Sequence, residues 1–291
     1  MIDFKNHHWN LSAPINETTP LKSIISDLDV IITGSDQIWN SACIEANGLY
    51  YFGEEVLPNQ RLIAYAPSFG KNRFEASDQI IEKLKTHFPK FKAISVREDD
   101  GLNILKNKFG VENAIKVLDP TLLMGVDYYK KLMKKNAIKP RKTLAYYILD
   151  NSSQKERWIK ELSQLMNLKP VNINRSSCDK SSIIGKIRAL RYPSVENWQK
   201  NIAEAQFVLT DSFHGSVFSI IFNRQFLTFG NNKRGNSRFD SLLSMFNLSS
   251  RMITDEKNIS LPSYEINYKE VNNLLSTHRQ KSSDFLLHAL A

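Results

Sequence analysis

Phe207-Val208-Leu209-Thr210-Asp211-Ser212-Phe213-His214-Gly215-Ser216-Val217-Phe218-Ser219-Ile220-Ile221-Phe222 opens with an apolar run that stops at Thr-Asp-Ser. Apolar residues resume after Gly215 at helical spacing, as Val217, Ile220 and Ile221. The pattern predicts a buried strand, a tight turn and a helix. His214 then stands where the helix begins. Backbone N–H groups at a helix start lack intrahelical partners and carry the positive end of the macrodipole, so such a corner can hold a phosphate or carboxylate. In open α/β sheets the carboxyl ends of the strands are also where ligands bind. An imidazole beside a bound anion is pushed toward its protonated form and can donate that proton. The alternative is a ring that only caps or packs.

The same alternation runs through the rest of the chain. In Leu28-Asp29-Val30-Ile31-Ile32-Thr33-Gly34-Ser35-Asp36-Gln37-Ile38-Trp39-Asn40 a β-branched run ends at Gly34. Ser35, Asp36 and Gln37 follow, a cluster able to hydrogen-bond sugar hydroxyls or a phosphate, and Trp39 either offers a ring face or fills the core. A strand is expected within 61–70 and a helix over 77–88, before a third strand within 91–96 that ends in Arg97. The planar fork of Arg97 suits a bidentate grip on a carboxylate or phosphate, with an ion pair to Glu98 or Asp99 as the alternative. Residues 117–123 close the first half, with Asp119 at the edge of the expected cleft.

A basic connector, 134–142, reads as a domain boundary. Beyond it strands are expected at 144–149, 170–173 and 225–229, and helices at 158–165 and after Ser194, the N-cap. The loop following Phe229 brings Arg234 and Arg238 toward the same edge, and a helical tail over 268–287 is expected to cross back to the first domain. Repeated strand, polar exit and helix mean α/β architecture, with parallel sheets covered by helices on both faces. The expected division is 1–138, 139–262 and a C-terminal helix in 263–291.

At 291 residues the chain exceeds a comfortable single core, which favours two domains. With 42% hydrophobic and 24% charged residues, it has the apolar material for both. A net charge of +9 favours an anionic substrate or an anionic surface. No nucleic-acid motif accompanies that charge, so nucleic acid is not expected as a partner. Cys43 and Cys178 stand in no metal-ligand spacing, which argues against a zinc site or a disulfide framework and fits a reducing compartment. No apolar run approaches the ~18 residues of a membrane span, and the polar start has no signal-peptide core. The expectation is a cytoplasmic protein whose charge permits peripheral contact with the inner face of a membrane. His7 and His8 are adjacent and do not face one point, so they read as solvated.

Six motifs now stand in order: Gly34-Ser35-Asp36-Gln37-Ile38-Trp39-Asn40, Ser95-Val96-Arg97-Glu98, Asp119-Pro120-Thr121, Ser194-Val195-Glu196-Asn197-Trp198, Thr210-Asp211-Ser212-Phe213-His214-Gly215, and Arg234-Gly235 with Arg238. Together they closely resemble the polysaccharide pyruvyl transferase family over residues 4–248. The resemblance implies two Rossmann-like domains facing across a cleft, as in the GT-B glycosyltransferases. It implies transfer of the pyruvate unit of phosphoenolpyruvate to a sugar of a surface glycan or its precursor, commonly as a ketal, with release of phosphate. By matching positions it makes His214 the general acid and Arg97 a donor carboxylate or phosphate contact. Ser212 and Gly215 fall at the same donor corner, Arg234 and Arg238 become further anion contacts, and Gly34, Ser35, Asp36, Gln37, Trp39 and Asp119 are expected along the cleft on the acceptor side. Phosphoenolpyruvate enters as substrate, no cofactor or metal is expected, and the partner is a glycan or lipid-linked sugar acceptor. The family usually begins with a further strand and an Asn-Tyr-Gly-Ala-type loop ahead of the region that Phe4 matches, so the first domain is expected to lack its opening strand-helix unit. Two other classes remain open: a catalytically silent sugar- or anion-binding homologue, and a GT-B-type glycosyltransferase, which would bind a sugar nucleotide instead of phosphoenolpyruvate.

Overall fold

Runs rich in β-branched and aromatic residues form the strands, and every ladder between them is parallel. The computed structural model describes residues 2–16, 19–134, 137–174, 193–230, 235–254 and 264–291. Strands β1 (Val30–Thr33), β2 (Arg61–Ala64), β3 (Phe91–Val96) and β4 (Ile115–Lys116) make a four-stranded sheet in the order β1-β2-β3-β4. Strands β5 (Arg141–Tyr147), β6 (Lys169–Asn172), β7 (Ala205–Thr210), β8 (Gln225–Phe229) and β9 (Met252–Ile253) make a five-stranded sheet in the order β6-β5-β7-β8-β9. Parallel neighbours need crossover connections, which here contain helices. The molecule is therefore α/β with two parallel sheets, consistent with Rossmann-like domains.

Local chemistry sets the helix limits. Ser77 accepts the Ile80 N–H at 3.4 Å to start the Asp78–His87 helix, whose Ile81 and Leu84 turn into the core. The Asp99–Phe109 helix ends at Gly110, which adopts φ 72°, a left-handed conformation that costs glycine little.

Packing divides the chain into two units, and neither is continuous in sequence. One comprises Met1–Trp9, Met124–Asn231 and Leu243–Asn273 and contains the five-stranded sheet; the other comprises Asn10–Leu123, Asn232–Leu242 and Leu274–Ala291 and contains the four-stranded sheet. Between those at 9/10 and 231/232, the change of unit falls at 123/124. Its physical reason is Tyr129, whose ring meets Phe218 edge-on at 5.0 Å inside the five-stranded unit. Residues 237–242 join the four-stranded unit because the Ser241 hydroxyl accepts the Asp99 N–H at 3.0 Å. In that unit the final helical residues cover β2 and β4. Ser282 accepts the Leu118 N–H at 2.9 Å, Arg279 donates to the Leu122 carbonyl at 2.6 Å, and Phe285 packs on Tyr65.

Strand order differs between the sheets in a way that matters for ligands. The four-stranded sheet advances in one direction throughout. In the five-stranded sheet the first strand, β5, lies between β6 and β7, so the chain reverses direction across the sheet there. A crevice opens at such a reversal, beyond the carboxyl ends of the two strands it separates.

Candidate functional site

At the β5/β7 reversal the two strand ends are tied together at Thr210. Thr210, the last residue of β7, donates its hydroxyl to the Tyr147 carbonyl at 2.7 Å and accepts the Ser212 N–H at 3.0 Å. Ser212 is the N-cap of the Phe213–Ile221 helix, its hydroxyl accepting the Gly215 N–H at 3.4 Å. His214 is consequently the second residue of that helix, half-buried, with its ring edge-on to Phe213. Gly215 has no room for a side chain, since a Cβ there would lie 2.3 Å from Thr210 Oγ1.

A buried ion pair fixes the opposite lip. Asp211 accepts the N–H groups of Leu149 and Asp150 at 2.7 and 3.0 Å and the Lys155 ammonium at 3.0 Å. Lys155 also donates to the Asp150 carbonyl at 2.9 Å and lies over the Phe229 ring. The exits of β5 and β7 are thereby tied to one carboxylate. Neither Asp211 nor Lys155 was singled out by sequence reasoning, because 56 residues separate them.

Between these lips lies a cavity of about 450 Å³ whose wall includes Tyr147, Leu149, Asn174, Trp198, His214 and Phe218. Trp198 meets Tyr147 and Phe218 edge-on at 5.2 and 5.1 Å, which sets a rigid aromatic wall. Among the described residues Trp198 Nε1 and Asn174 Oδ1 have no hydrogen-bond partner. A buried donor and acceptor left in this state are costly unless a bound group satisfies them. Apolar walls, a few polar groups and one imidazole at a helix N-terminus suit a small polar or anionic organic ligand.

The four-stranded unit gathers the other expected residues. Arg97, at the end of β3, is 1% exposed and pairs with Asp119 at 2.6 Å and with Asp36 at 3.1 Å. Ser35 donates to Asp119 at 3.1 Å and Thr121 to the other oxygen of the same carboxylate at 2.6 Å. Burial alone would weaken the Arg97 charge, but Asp119, Glu98 and Asp36 raise its pKa, so the guanidinium stays ionised. Burial also pushes the Glu98 carboxyl up, against the pull of Arg97, Ser68, the Phe69 N–H and Arg238. Arg97, expected as a donor contact with an ion pair to Glu98 or Asp99 as the alternative, is ion-paired in this structure to Asp119, to Asp36 and, at 3.7 Å, to the expected Glu98, but not to Asp99. Asp99 pairs with Lys116 at 2.6 Å.

Other expectations fall variously. Trp39 is corrected from a cleft residue to a core residue: it is 0% exposed and surrounded by Phe52, Phe69, Phe88 and Phe91, so its ring faces no ligand. Its indole N–H donates to the Tyr51 carbonyl at 3.1 Å. Gln37 accepts from Asn40 at 3.3 Å, Gly34 is exposed, and Arg238 is buried within the field of Glu98. Arg234 lies outside the described residues. Among the described residues no group of three or more His, Cys, Asp or Glu side chains is placed to hold a metal ion, and no helix is long and apolar enough to cross a membrane.

Fold and sites together define an α/β protein with two parallel-sheet units, one of which carries a histidine-bearing cavity at a strand-order reversal. A family model described as polysaccharide pyruvyl transferase matches residues 2–233, and the chain belongs to that family, whose members are transferases acting on polysaccharide. Comparison with curated proteins found no match.

Proposed function

We propose that the chain moves the pyruvate unit of phosphoenolpyruvate onto a sugar of a surface polysaccharide or its precursor, forming a ketal and releasing phosphate. One observation carries the reading: in a chain of this family, His214 opens the helix after β7 and lines the cavity at the β5/β7 reversal. In the proposed step His214 gives a proton to the methylene carbon of the donor, the electrons of the double bond forming the new C–H bond. The neighbouring carbon becomes an oxocarbenium centre. One sugar hydroxyl bonds to it, and that hydroxyl's proton returns to His214. The carbon–oxygen bond to phosphate then breaks, phosphate leaving with the electron pair, while a second hydroxyl closes the ketal and releases its proton to the phosphate. The scheme asks for no metal or cofactor. The proposed setting is the cytoplasm, in contact with a membrane-borne acceptor.

Arg97 is proposed to meet an anion by exchange. Its deep partner Asp119 stays in place, whereas Asp36 is 64% exposed and can be replaced on the guanidinium by an incoming carboxylate or phosphate. A second reading, a silent sugar- or anion-binding homologue, is favoured by the fully ion-paired state of Arg97.

The test is phosphate release from phosphoenolpyruvate across a panel of sugar acceptors. His214→Ala is expected to lower turnover by about 10²–10⁴-fold while leaving donor affinity within a few-fold. Turnover equal to the parent would remove His214 from the acid role, and a parent that binds donor but never releases phosphate would favour the silent homologue.

A further inference from the structure

A second cavity, of about 610 Å³, lies within the five-stranded unit. Three segments distant in sequence form its wall. His7 and His8 come from the Ile2–His8 helix, Tyr128 and Lys131 from the Val126–Leu132 helix with Lys134 just beyond it, and Glu196 from the first turn of the Val195–Glu204 helix. The Lys134 N–H returns to the Lys131 carbonyl at 2.9 Å, which keeps both lysines on one turn. Phe4 packs on the His8 ring at 4.5 Å and holds it in the wall. Among the described residues Glu196 is the one carboxylate lining this space. Burial alone would raise the Glu196 carboxyl, but its own N–H, the Ser194 hydroxyl and the charges of His8 and Lys134 bring it below the usual range.

Val195 lines this cavity and the His214 cavity alike, so the two adjoin across one side chain. Their chemistry is complementary: the first carries two exposed lysines against one carboxylate on a partly apolar wall, the second is mainly aromatic and apolar. We propose that the first cavity binds the phosphate or diphosphate group of a phosphorylated sugar acceptor, whose sugar extends toward His214. Two lysines on one turn match a group with two separated charges better than a single carboxylate, and the histidines supply further N–H donors. The sugar end of this inference rests on the proposed transfer reaction; the anion site does not.

The test is calorimetric titration of the full chain with inorganic diphosphate at fixed ionic strength. Lys131→Glu with Lys134→Glu is expected to weaken binding by about tenfold or more, since each removes a charge-assisted contact and adds repulsion. Lys106→Glu with Lys160→Glu, the same charge change at exposed positions outside this wall, is expected to leave affinity within about twofold. No binding by the parent, or equal losses in both double variants, would overturn the site. Two further arms identify the source. A nucleoside diphosphate is compared with phosphatidylcholine vesicles carrying a polyprenyl diphosphate, and preferential binding of either supports the site. Equal binding to phosphatidylglycerol vesicles with and without the diphosphate lipid would mean a membrane-surface contact and overturn it. Phosphoenolpyruvate titrations of the same variants keep the readings apart: loss of donor binding in the parent with diphosphate binding intact would sink the transfer reaction and leave this site standing.

Discussion

Asp36 occupies a left-handed conformation, φ 75°, that few residues other than glycine, asparagine and aspartate tolerate. Its carboxylate reaches Arg97 from the exposed side, while Asp119 holds Arg97 from below with both charges buried. The two pairs therefore have different consequences. Asp36→Asn keeps the backbone conformation and removes a competing charge, so anion affinity at Arg97 is expected to rise by about two- to fivefold, the worth of one exposed ion pair. A titration with phosphoenolpyruvate reads this, and weaker binding would contradict the exchange model; misfolding cannot imitate a gain. Arg97→Lys is expected to weaken the same binding because the fork is lost. At Asp211 the charge is buried under Lys155 and two backbone donors. Asp211→Ala leaves the ammonium without its counter-charge and is expected to cost about 3–5 kcal/mol in denaturant unfolding. A loss below about 1 kcal/mol would deny the pair its role in holding the β5 and β7 exits together.

The elements that carry these residues make their own predictions. The β7 exit and its helix fit only because position 215 lacks a side chain, so Gly215→Ala must displace Thr210 and the Tyr147 and Ser212 bonds it makes. A cost of about 1–3 kcal/mol and a loss of turnover are expected; an unchanged melting temperature would show that the turn relaxes freely. In the Asp78–His87 helix the terminal imidazole is buried, and its Nδ1 lies 3.1 Å from the Phe52 carbonyl. A carbonyl can only accept, so Nδ1 carries the proton. Burial holds the His87 pKa below its ordinary 6.5. The folded state therefore binds fewer protons than the unfolded one, and the contribution of His87 to stability is complete above pH 6.5 and is lost as pH falls below it. Melting temperatures across that range should drop on acidification, less steeply in His87→Gln.

At the scale of the molecule, local patterns were legible and distant partners were not. The β7 strand, its turn and the following helix follow from an apolar run, a cap residue and helical spacing within sixteen consecutive residues. Arg97 at a strand end was legible in the same way. Of its partners the neighbour Glu98, 3.7 Å from Arg97 Nε, was legible too, whereas Asp119 and Asp36 lie 22 and 61 residues away, and the other neighbour offered, Asp99, pairs with Lys116 instead. For Trp39 the segment itself offered the core as one of two readings, and only the placement along the cleft failed, because the four phenylalanines that enclose the ring come from other segments. The discontinuous units were also hidden, because what assigns 237–242 and 274–291 to the four-stranded unit is a few long-range bonds, such as Asp99 to Ser241 and Leu118 to Ser282.

The measurement that bears most directly on pyruvyl transfer is calorimetric titration of the purified chain with phosphoenolpyruvate, with pyruvate and a sugar nucleotide as controls. Saturable binding of phosphoenolpyruvate, clearly tighter than that of either control, is the predicted result. A folded chain that binds the sugar nucleotide, or that binds no phosphoenolpyruvate at all, would contradict it.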